Sequence, residues 1–131
     1  MEENEAEEEI PEISFHAILG ITTPKTMRLV GKMGQSTITI LVDSGSMHNF
    51  LNSKVAEKLG IYPTKKGEFS VQVADGSKMK SEGLCEGTLI SVQKIDFHVD
   101  FYLLEVEGCD AIFGTQWLKK LGPIIWEFNE L

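Results

Sequence analysis

The chain has 131 residues, of which 42% are apolar, and a formal net charge of −8. That length is typical of one domain, and a lone domain of this size buries only a modest core, so association with another copy would help its stability. Seven glutamates and no basic residue fall within residues 1–12, and the remainder is nearly neutral with 13 acidic and 12 basic residues. The sequence shows no basic patch with interleaved aromatics and no apolar run of about 18 residues, which argues against nucleic-acid binding and against a membrane span.

The acidic N-terminal segment predicts a solvated, disordered tail and linker over residues 1–24, followed by a folded domain over residues 25–131. An acidic N-terminus is unlike a signal peptide, so we expect an intracellular, cytoplasmic protein. In that compartment Cys85 and Cys109 are expected to be reduced packing residues, because their spacing matches no paired motif. The three histidines are scattered along the sequence, and we expect neither a metal site nor a cofactor.

The first part of the predicted domain is a hairpin followed by a short helix. Strands are predicted over Met27–Met33 and Ser36–Val42, and the turn between them begins with glycine, as hairpin turns often do. A loop follows the second strand. The helix is predicted over Ser53–Leu59, with Asn52 as its N-cap and Gly60 at its C-terminal end.

A second hairpin is predicted in the middle of the chain. Its first strand covers Phe69–Ala74, and Asp75-Gly76 forms the turn, because Asp-Gly between two strands is a strong hairpin signal. The return strand is long and contains Gly83 and Gly87. Both glycines are expected to mark bends or bulges in it.

The C-terminal part repeats the order of strand, glycine turn and short helix. Three strands are predicted here in addition to the one that precedes the glycine: Thr88–Val92, Ile95–Leu104 and Ile124–Phe128. The apolar strand Ala111–Phe113 runs into Gly114, and a helix over Gln116–Leu121 follows with Thr115 as its expected N-cap. This weak internal repeat favours a barrel of two related halves.

The most informative stretch is Leu41-Val42-Asp43-Ser44-Gly45-Ser46, in which an apolar strand runs directly into Asp-Ser-Gly. Asp-Ser-Gly alone is also an ordinary turn at the end of a strand. The preceding run, Thr37–Val42, begins with alternation and ends as continuous apolar sequence, which indicates a strand whose end is buried on both faces. Such a strand would deliver the Asp43 carboxylate to a fixed point, while Gly45 allows a tight turn and close approach. The pattern is that of a catalytic carboxylate in an aspartic protease.

Peptide hydrolysis by carboxylates needs two acids that share one proton, one acting as base toward water and the other as acid toward the carbonyl. The sequence contains one Asp-Ser-Gly, so the second carboxylate must come from a second copy of the chain. Asp75, Asp96, Asp100 and Asp110 lack a comparable setting. We interpret those four as turn or surface acids.

Five motifs occur in a fixed order along the chain: Leu41–Ser46, His48–Phe50, Val73–Gly76, Glu107–Asp110 and Ile112–Leu118. Together they resemble a retropepsin, the homodimeric aspartic protease of retroviruses and LTR retrotransposons. The resemblance covers Met27–Phe128 and is greatest to the protease segment of gypsy-class retrotransposon polyproteins, notably those of plants. A similar layout occurs in the retropepsin-like domain of ubiquitin-shuttle proteins.

The resemblance implies an all-β fold, namely a retropepsin-like acid protease barrel with two short helices that is active as a homodimer. It implies an aspartic endopeptidase that processes a Gag-Pol polyprotein, in the setting of a virus-like particle. The implied substrate is a peptide segment of that polyprotein. No cofactor, nucleic acid or membrane is implied as a partner of this domain.

Roles in the active loop, Asp43–Asn49, also follow from the resemblance. Asp43 would be the catalytic carboxylate. Ser44 would reach across the dimer to hold the opposite loop, and Gly45 would line the substrate backbone. Ser46 would complete the loop, its hydroxyl beside the carboxylate. Met47 departs from the family pattern, since many relatives carry threonine there.

Two further elements would support the loop. Ala74, Asp75 and Gly76 would form the tip of a flap that closes over the peptide. The segment Ile112-Phe113-Gly114 would match the apolar element that packs beneath the active loop. The flap tip lacks the several glycines of viral enzymes, so a different mode of opening is expected.

Two other functions stay open at this point. The chain could be a catalytically silent dimerisation or binding module on the same fold, or an unrelated small β-barrel binding domain. The intact Asp43-Ser44-Gly45 favours the enzyme, because packing alone does not demand an acid at that position.

Overall fold

The structure, a computed structural model, describes residues 11–13, 17, 26–73 and 76–121, without the side chains of residues 119–121. The predicted strand Ile124–Phe128 and the flap residues Ala74 and Asp75 lie outside these residues. The described part is mostly β with two short helices, as predicted. Its strands are β1 (Glu12–Ile13), β2 (Thr26–Met33), β3 (Ser36–Asp43), β4 (Phe50–Asn52), β5 (Lys65–Val73), β6 (Lys78–Val92), β7 (Ile95–Leu104) and β8 (Ala111–Phe113). Its helices are α1 (Ser53–Leu59) and α2 (Thr115–Leu121).

Six of the strands pair with one another in a closed cycle. β2 pairs with β3 and β6, β3 pairs with β8, β8 pairs with β4, β4 pairs with β7, and β7 pairs with β6. β5 extends the sheet from β6, and β1 lies parallel to β5 on its other side. The strand that carries Asp43 is therefore held between β2 and β8.

Burial along β3 follows the sequence pattern. The strand alternates between exposed and buried residues at first and is then continuously buried from Ile40 to Asp43. Ile40 and Val42 belong to one apolar cluster, and Leu41 belongs to a second cluster on the opposite face. Because burying one such aliphatic side chain contributes about 1.5–3 kcal/mol, both clusters fix the end of β3 in place.

The first helix matches its prediction at both ends. The side-chain oxygen of Asn52 accepts a hydrogen bond from the Lys54 amide at 2.9 Å. Gly60 adopts a left-handed conformation with φ of 72° and ends the helix. The second helix differs from its prediction, because it begins at Thr115.

Thr115 is not the N-cap of α2. The carbonyl of Gly114 accepts the amides of Trp117 at 3.1 Å and Leu118 at 3.2 Å, so the helix is entered from the glycine. The Thr115 hydroxyl instead donates to the Met47 carbonyl at 3.3 Å. The Thr115 hydroxyl, which the sequence predicts to cap the helix, therefore bonds to the active loop instead.

The long hairpin of β5 and β6 differs from prediction in its extent and at one glycine. β5 begins at Lys65 and not at Phe69. Gly87, with φ of 62°, lies within the register shift between Cys85 and Thr88, as the prediction of a bulge requires.

Gly83 has a different reason to be glycine. The nearby register shift falls on the opposite strand, between Lys66 and Phe69. A Cβ atom on Gly83 would lie 2.6 Å from the Cβ atom of Pro63. The residue therefore allows a close approach to a neighbouring loop.

Strands β1 and β4 have no counterpart among the predicted elements. β1 falls inside the segment 1–24 that was predicted to be a tail, and its Ile13 is buried. The boundary between tail and domain at residue 24 stays a prediction. Within the described ranges, no helix is long and apolar enough to cross a membrane.

Candidate active site

Asp43 is the last residue of β3 and is only 3% exposed. Both oxygens of its carboxylate accept hydrogen bonds from the loop that follows. The Gly45 amide donates to Oδ1 at 2.9 Å, and the Ser46 hydroxyl donates to Oδ2 at 3.1 Å. The Ser46 amide donates to the Asp43 carbonyl at 3.1 Å and closes the turn. Because a buried polar group needs hydrogen-bond partners and each oxygen has its own donor, the loop holds this side chain in one orientation.

The start of α2 holds the loop from the other side. The amides of Thr115 and Gln116 donate to the carbonyls of Ser46 at 2.9 Å and Met47 at 3.2 Å. A Cβ atom on Gly114 would lie 2.4 Å from the Ser46 carbonyl oxygen and 2.5 Å from that of His48. No side chain fits there, so glycine at 114 permits the contact between loop and helix.

Ile112 and Phe113, predicted to pack beneath the loop, lie beside β3. In the parallel pairing of β3 and β8, Ile112 stands opposite Leu41 and Phe113 stands opposite Val42. Both are fully buried, in the two clusters that flank β3. The structure thus brings Ile112, Phe113 and Gly114 together with the loop that carries Asp43.

Asn49 is a positioning residue, and the sequence indicates it only as part of the motif His48–Phe50. Its side-chain oxygen accepts the Gly114 amide at 2.9 Å. Its side-chain nitrogen donates to the Asp100 carbonyl and to Gln116 Oε1, both at 3.4 Å. The signal in the sequence was a polar residue directly before the apolar pair Phe50-Leu51, at a place that the structure buries.

Ser44 and Gly45 are exposed in the single chain, on the side of the loop that faces away from the core. Gly45 borders a cavity of about 290 Å³ together with four other residues, namely Glu12, Ile13, Gln72 and Val73. The end of β5 therefore faces the active loop across this cavity. β5 is the first strand of the hairpin whose tip was predicted to be a flap.

The tip of that hairpin is described only at Gly76 among the predicted flap residues. Gly76 has a φ of 95°, and its amide donates to the Val73 carbonyl at 2.9 Å. The Val73 amide donates to the Ser77 carbonyl at 2.8 Å. The positive φ agrees with the turn that Asp-Gly predicts. The role of the tip as a flap stays a prediction.

The other aspartates in the described part of the chain have local structural partners. Asp110 accepts the Thr39 amide at 2.8 Å, and Asp100 accepts the Gly87 amide at 2.8 Å within the bulge. Asp96 accepts the hydroxyl of Ser91. These three acids hold local structure at turns and strand ends. Among the aspartates that the structure describes, Asp43 alone lies in an active-site setting.

The two cysteines do not offer a second kind of chemistry. Burial raises the pKa of the Cys85 thiol. Burial also raises the pKa of the Cys109 thiol to about 11, and the opposing effect of the nearby Arg28 is smaller. Both thiols are therefore protonated near neutral pH, whereas a nucleophilic cysteine needs its thiolate. Among the described residues, no group of three His, Cys, Asp or Glu side chains could hold a metal ion.

Comparisons with known proteins agree with this geometry. The protein-family model described as the PEG10/RTL1 protease domain matches residues 39–131. Among solved structures, the retroviral protease-like domain of Ddi1 from Leishmania major is similar, with a TM-score of 0.58 and 22% sequence identity. That similarity covers 75% of this chain and 78% of the other, and it supports the fold. No curated protein matches the chain at a significant level.

Proposed function

The chain belongs to the PEG10/RTL1 protease domain family, and from that premise we propose that it is an aspartic endopeptidase that is active as a homodimer. One observation carries the proposal. The Asp43 carboxylate lies at the buried end of β3, and both of its oxygens accept hydrogen bonds from its own loop. A retropepsin-like domain needs a carboxylate that is held in this way.

The mechanism that we propose uses Asp43 from each of two chains. Two carboxylates a few ångströms apart share one proton, because both cannot ionise easily at that distance. The ionised member accepts a proton from the attacking water, and the protonated member donates to the carbonyl oxygen of the scissile peptide. Two-fold symmetry would place the same loop on both sides of the axis. The exposed Ser44 would then lie near that axis.

Gly45 and the hairpin would bind the peptide backbone. Gly45 lies on the cavity opposite the end of β5, so an extended peptide in that space could bond with backbone groups on both sides. Recognition of this kind adds a strand to a sheet and depends little on the side chains of the peptide. It suits an endopeptidase that cleaves inside an extended segment.

The biological setting that we propose is polyprotein maturation. The five motifs between Leu41 and Leu118 support a gypsy-class retrotransposon of plant type, whose Gag-Pol polyprotein would be the substrate. The site of action would be intracellular, in the cytoplasm or in an assembling virus-like particle. This setting follows from the motif resemblance, and it can be tested separately from the chemistry.

The chemistry is tested with Asp43→Asn. Asparagine keeps the shape of the side chain but cannot act as acid or base, so cleavage of a peptide library should fall by about 10²-fold or more. Circular dichroism and sedimentation should match those of the parent protein. Asp96→Asn is the matched control, since it removes a carboxylate that bonds to Ser91 away from the loop. Parent-like cleavage by Asp43→Asn would refute the catalytic assignment.

The assembly is tested by dilution and by mixing. Specific activity should rise with protein concentration until dimerisation is complete, because one chain supplies one carboxylate. Adding excess Asp43→Asn protein to the parent should suppress cleavage as mixed dimers form. A rate that is independent of concentration, from a species that sediments as a monomer, would contradict the shared site. A parent protein that dimerises but cleaves no peptide would support the alternative of a silent binding module.

A further inference from the structure

Strand β1 lies between the active loop and the end of β5, in the space that the proposed substrate would use. The Met47 amide of the active loop donates to the Glu12 carbonyl at 3.0 Å. The Gln72 amide of β5 donates to the Pro11 carbonyl at 2.8 Å. Residues 11–13 therefore bond to the active loop and to β5 at once. These two elements are the walls of the proposed peptide groove.

The side chains of β1 alternate as those of a bound peptide would. The Glu12 side chain is exposed, whereas Ile13 is 1% exposed and packs in the second apolar cluster. The same cluster contains Leu41, Phe50 and Val71. One apolar side chain thus anchors the segment close to the active loop.

The cavity that remains beside β1 shows how the space is shared. It is lined by Glu12 and Ile13 from β1, by Gly45 from the active loop, and by the end of β5. A second extended peptide bonding to the Met47 and Gln72 amides would meet donors that β1 already occupies. Because a strand edge pairs with one partner at a time, β1 and a substrate compete for them.

We propose that β1 is an autoinhibitory strand, which occupies the peptide groove and must leave before a substrate can bind. The regulatory meaning of this strand rests on the proposed protease function, whereas the competition for the groove does not. When the competent state is only a fraction of the population, the apparent affinity for a peptide is reduced by that fraction. Removing β1 should therefore strengthen peptide binding, and fixing it in place should abolish binding.

The first test is a reversible covalent lock, Glu12→Cys with Gln72→Cys. These residues are direct partners across the β1–β5 pair, at a spacing that a disulfide can bridge. The natural Cys85 and Cys109 are buried and would not compete for oxidation. We expect cleavage to be about tenfold or more lower in the oxidised double variant than in the same protein after reduction. Each single variant should respond to oxidation no more than the parent does.

The second test releases β1 with Ile13→Asp in the full chain. The probe is a fluorescent peptide with the sequence of residues 8–16, and its affinity for the variant should be about tenfold or more higher than for the parent. Ile95→Asp is the matched control, because it makes the same substitution at a residue that is 40% exposed and begins β7. If Ile13→Asp does not fold, the lock decides alone.

The outcomes separate this proposal from the proposed function. Equal cleavage by the oxidised and reduced double variant would overturn the autoinhibitory role and leave the protease intact. Equal probe binding by the parent and a folded Ile13→Asp variant would also overturn it. If no form cleaves any peptide, the protease proposal fails. The strand would then still be supported by a probe that binds the Ile13→Asp variant but not the oxidised lock.

Discussion

The active loop and the end of β5 line the same cavity, but the loop and the hairpin turn that follows β5 are held in different ways. The loop is bonded to three other elements: β1 through Met47, α2 through Thr115 and Gln116, and β7 through Asn49. The bonds described around Gly76, in contrast, join residues of the hairpin to each other. Elements that are held by local bonds open more easily than elements braced by tertiary contacts. The carboxylate thus lies in a part of the molecule that tertiary contacts hold, whereas the described bonds at Gly76 are local to the hairpin.

Gly114→Ala should have the largest effect, because it disrupts the contact between the active loop and α2. The new Cβ atom would lie 2.4 Å from the Ser46 carbonyl oxygen, so α2 and the loop must separate. Overpacking of this kind costs about 1–3 kcal/mol of unfolding free energy. Cleavage per folded molecule should also fall, because Ser46 would move relative to Asp43. Urea denaturation and catalytic efficiency are the measurements.

Gly34→Ala is the control for that substitution. Gly34 has a φ of 62° in the β2–β3 turn and has no atom within 4 Å of an added Cβ. It should lose about 1–2 kcal/mol through backbone strain and keep its activity per folded molecule. Parent-like activity in Gly114→Ala would show that the loop does not need the contact with α2.

Gly76→Val should have a smaller effect, on the turn of the β5–β6 hairpin. The φ of 95° disfavours a β-branched residue, although an added Cβ atom would meet no other atom within 4 Å. We expect a several-fold loss of catalytic efficiency that exceeds the loss of stability, since a distorted tip closes poorly over the peptide. Gly60→Val makes the same change at the end of α1, where φ is 72° and space is equally open. Unchanged efficiency in a folded Gly76→Val variant would mean that closure uses another element.

Ser46→Ala should have the smallest effect, and it concerns the hold on the Asp43 side chain. The Ser46 hydroxyl is buried and donates to Asp43 Oδ2 at 3.1 Å, so alanine removes this donor from the carboxyl group. Catalytic efficiency should fall by about fivefold or less, because one neutral hydrogen bond is worth roughly 1 kcal/mol. The measurement is catalytic efficiency per folded molecule at one fixed pH.

Ser81→Ala is the control for Ser46→Ala. Ser81 is also buried, and its hydroxyl donates to the Gly83 carbonyl at 3.1 Å in the β6 strand. Its catalytic efficiency should equal that of the parent. Equal efficiency of Ser46→Ala and the parent would show that this hydroxyl does not hold the Asp43 side chain.

The parts of the molecule that the sequence predicted are those with local signals. The continuous apolar end of β3 indicated burial on both faces, and Asn52 and Gly60 set the limits of α1. The glycine and Asp-Gly turns gave the two hairpins. Each of these depends on neighbours within a few residues, which is the range over which capping, turn chemistry and periodicity act.

The parts that were missed depend on distant partners. β4 has three residues and exists because Phe50 and Leu51 pair with β7 and β8. β1 has two residues and exists through its contacts with β5 and the active loop. Thr115 carried a capping signal that its contact with Met47 overrides. No pattern within a short window of sequence contains these contacts, so the brace around Asp43 became visible only in three dimensions.

Because β3 pairs with β8, the placement of Asp43 depends on a segment that leaves the ribosome later than Asp43 does. Residues 111–117 supply the neighbouring strand, the glycine contact and the first bonds of α2, and all of them follow the Asp43 loop by more than sixty positions. Contacts between positions so far apart in sequence form slowly, because a long loop must close first. A nascent chain that ends before Gly114 therefore lacks the contacts that hold the Asp43 loop in place. The order of synthesis by itself would delay the proposed proteolysis until residues 111–117 have been made.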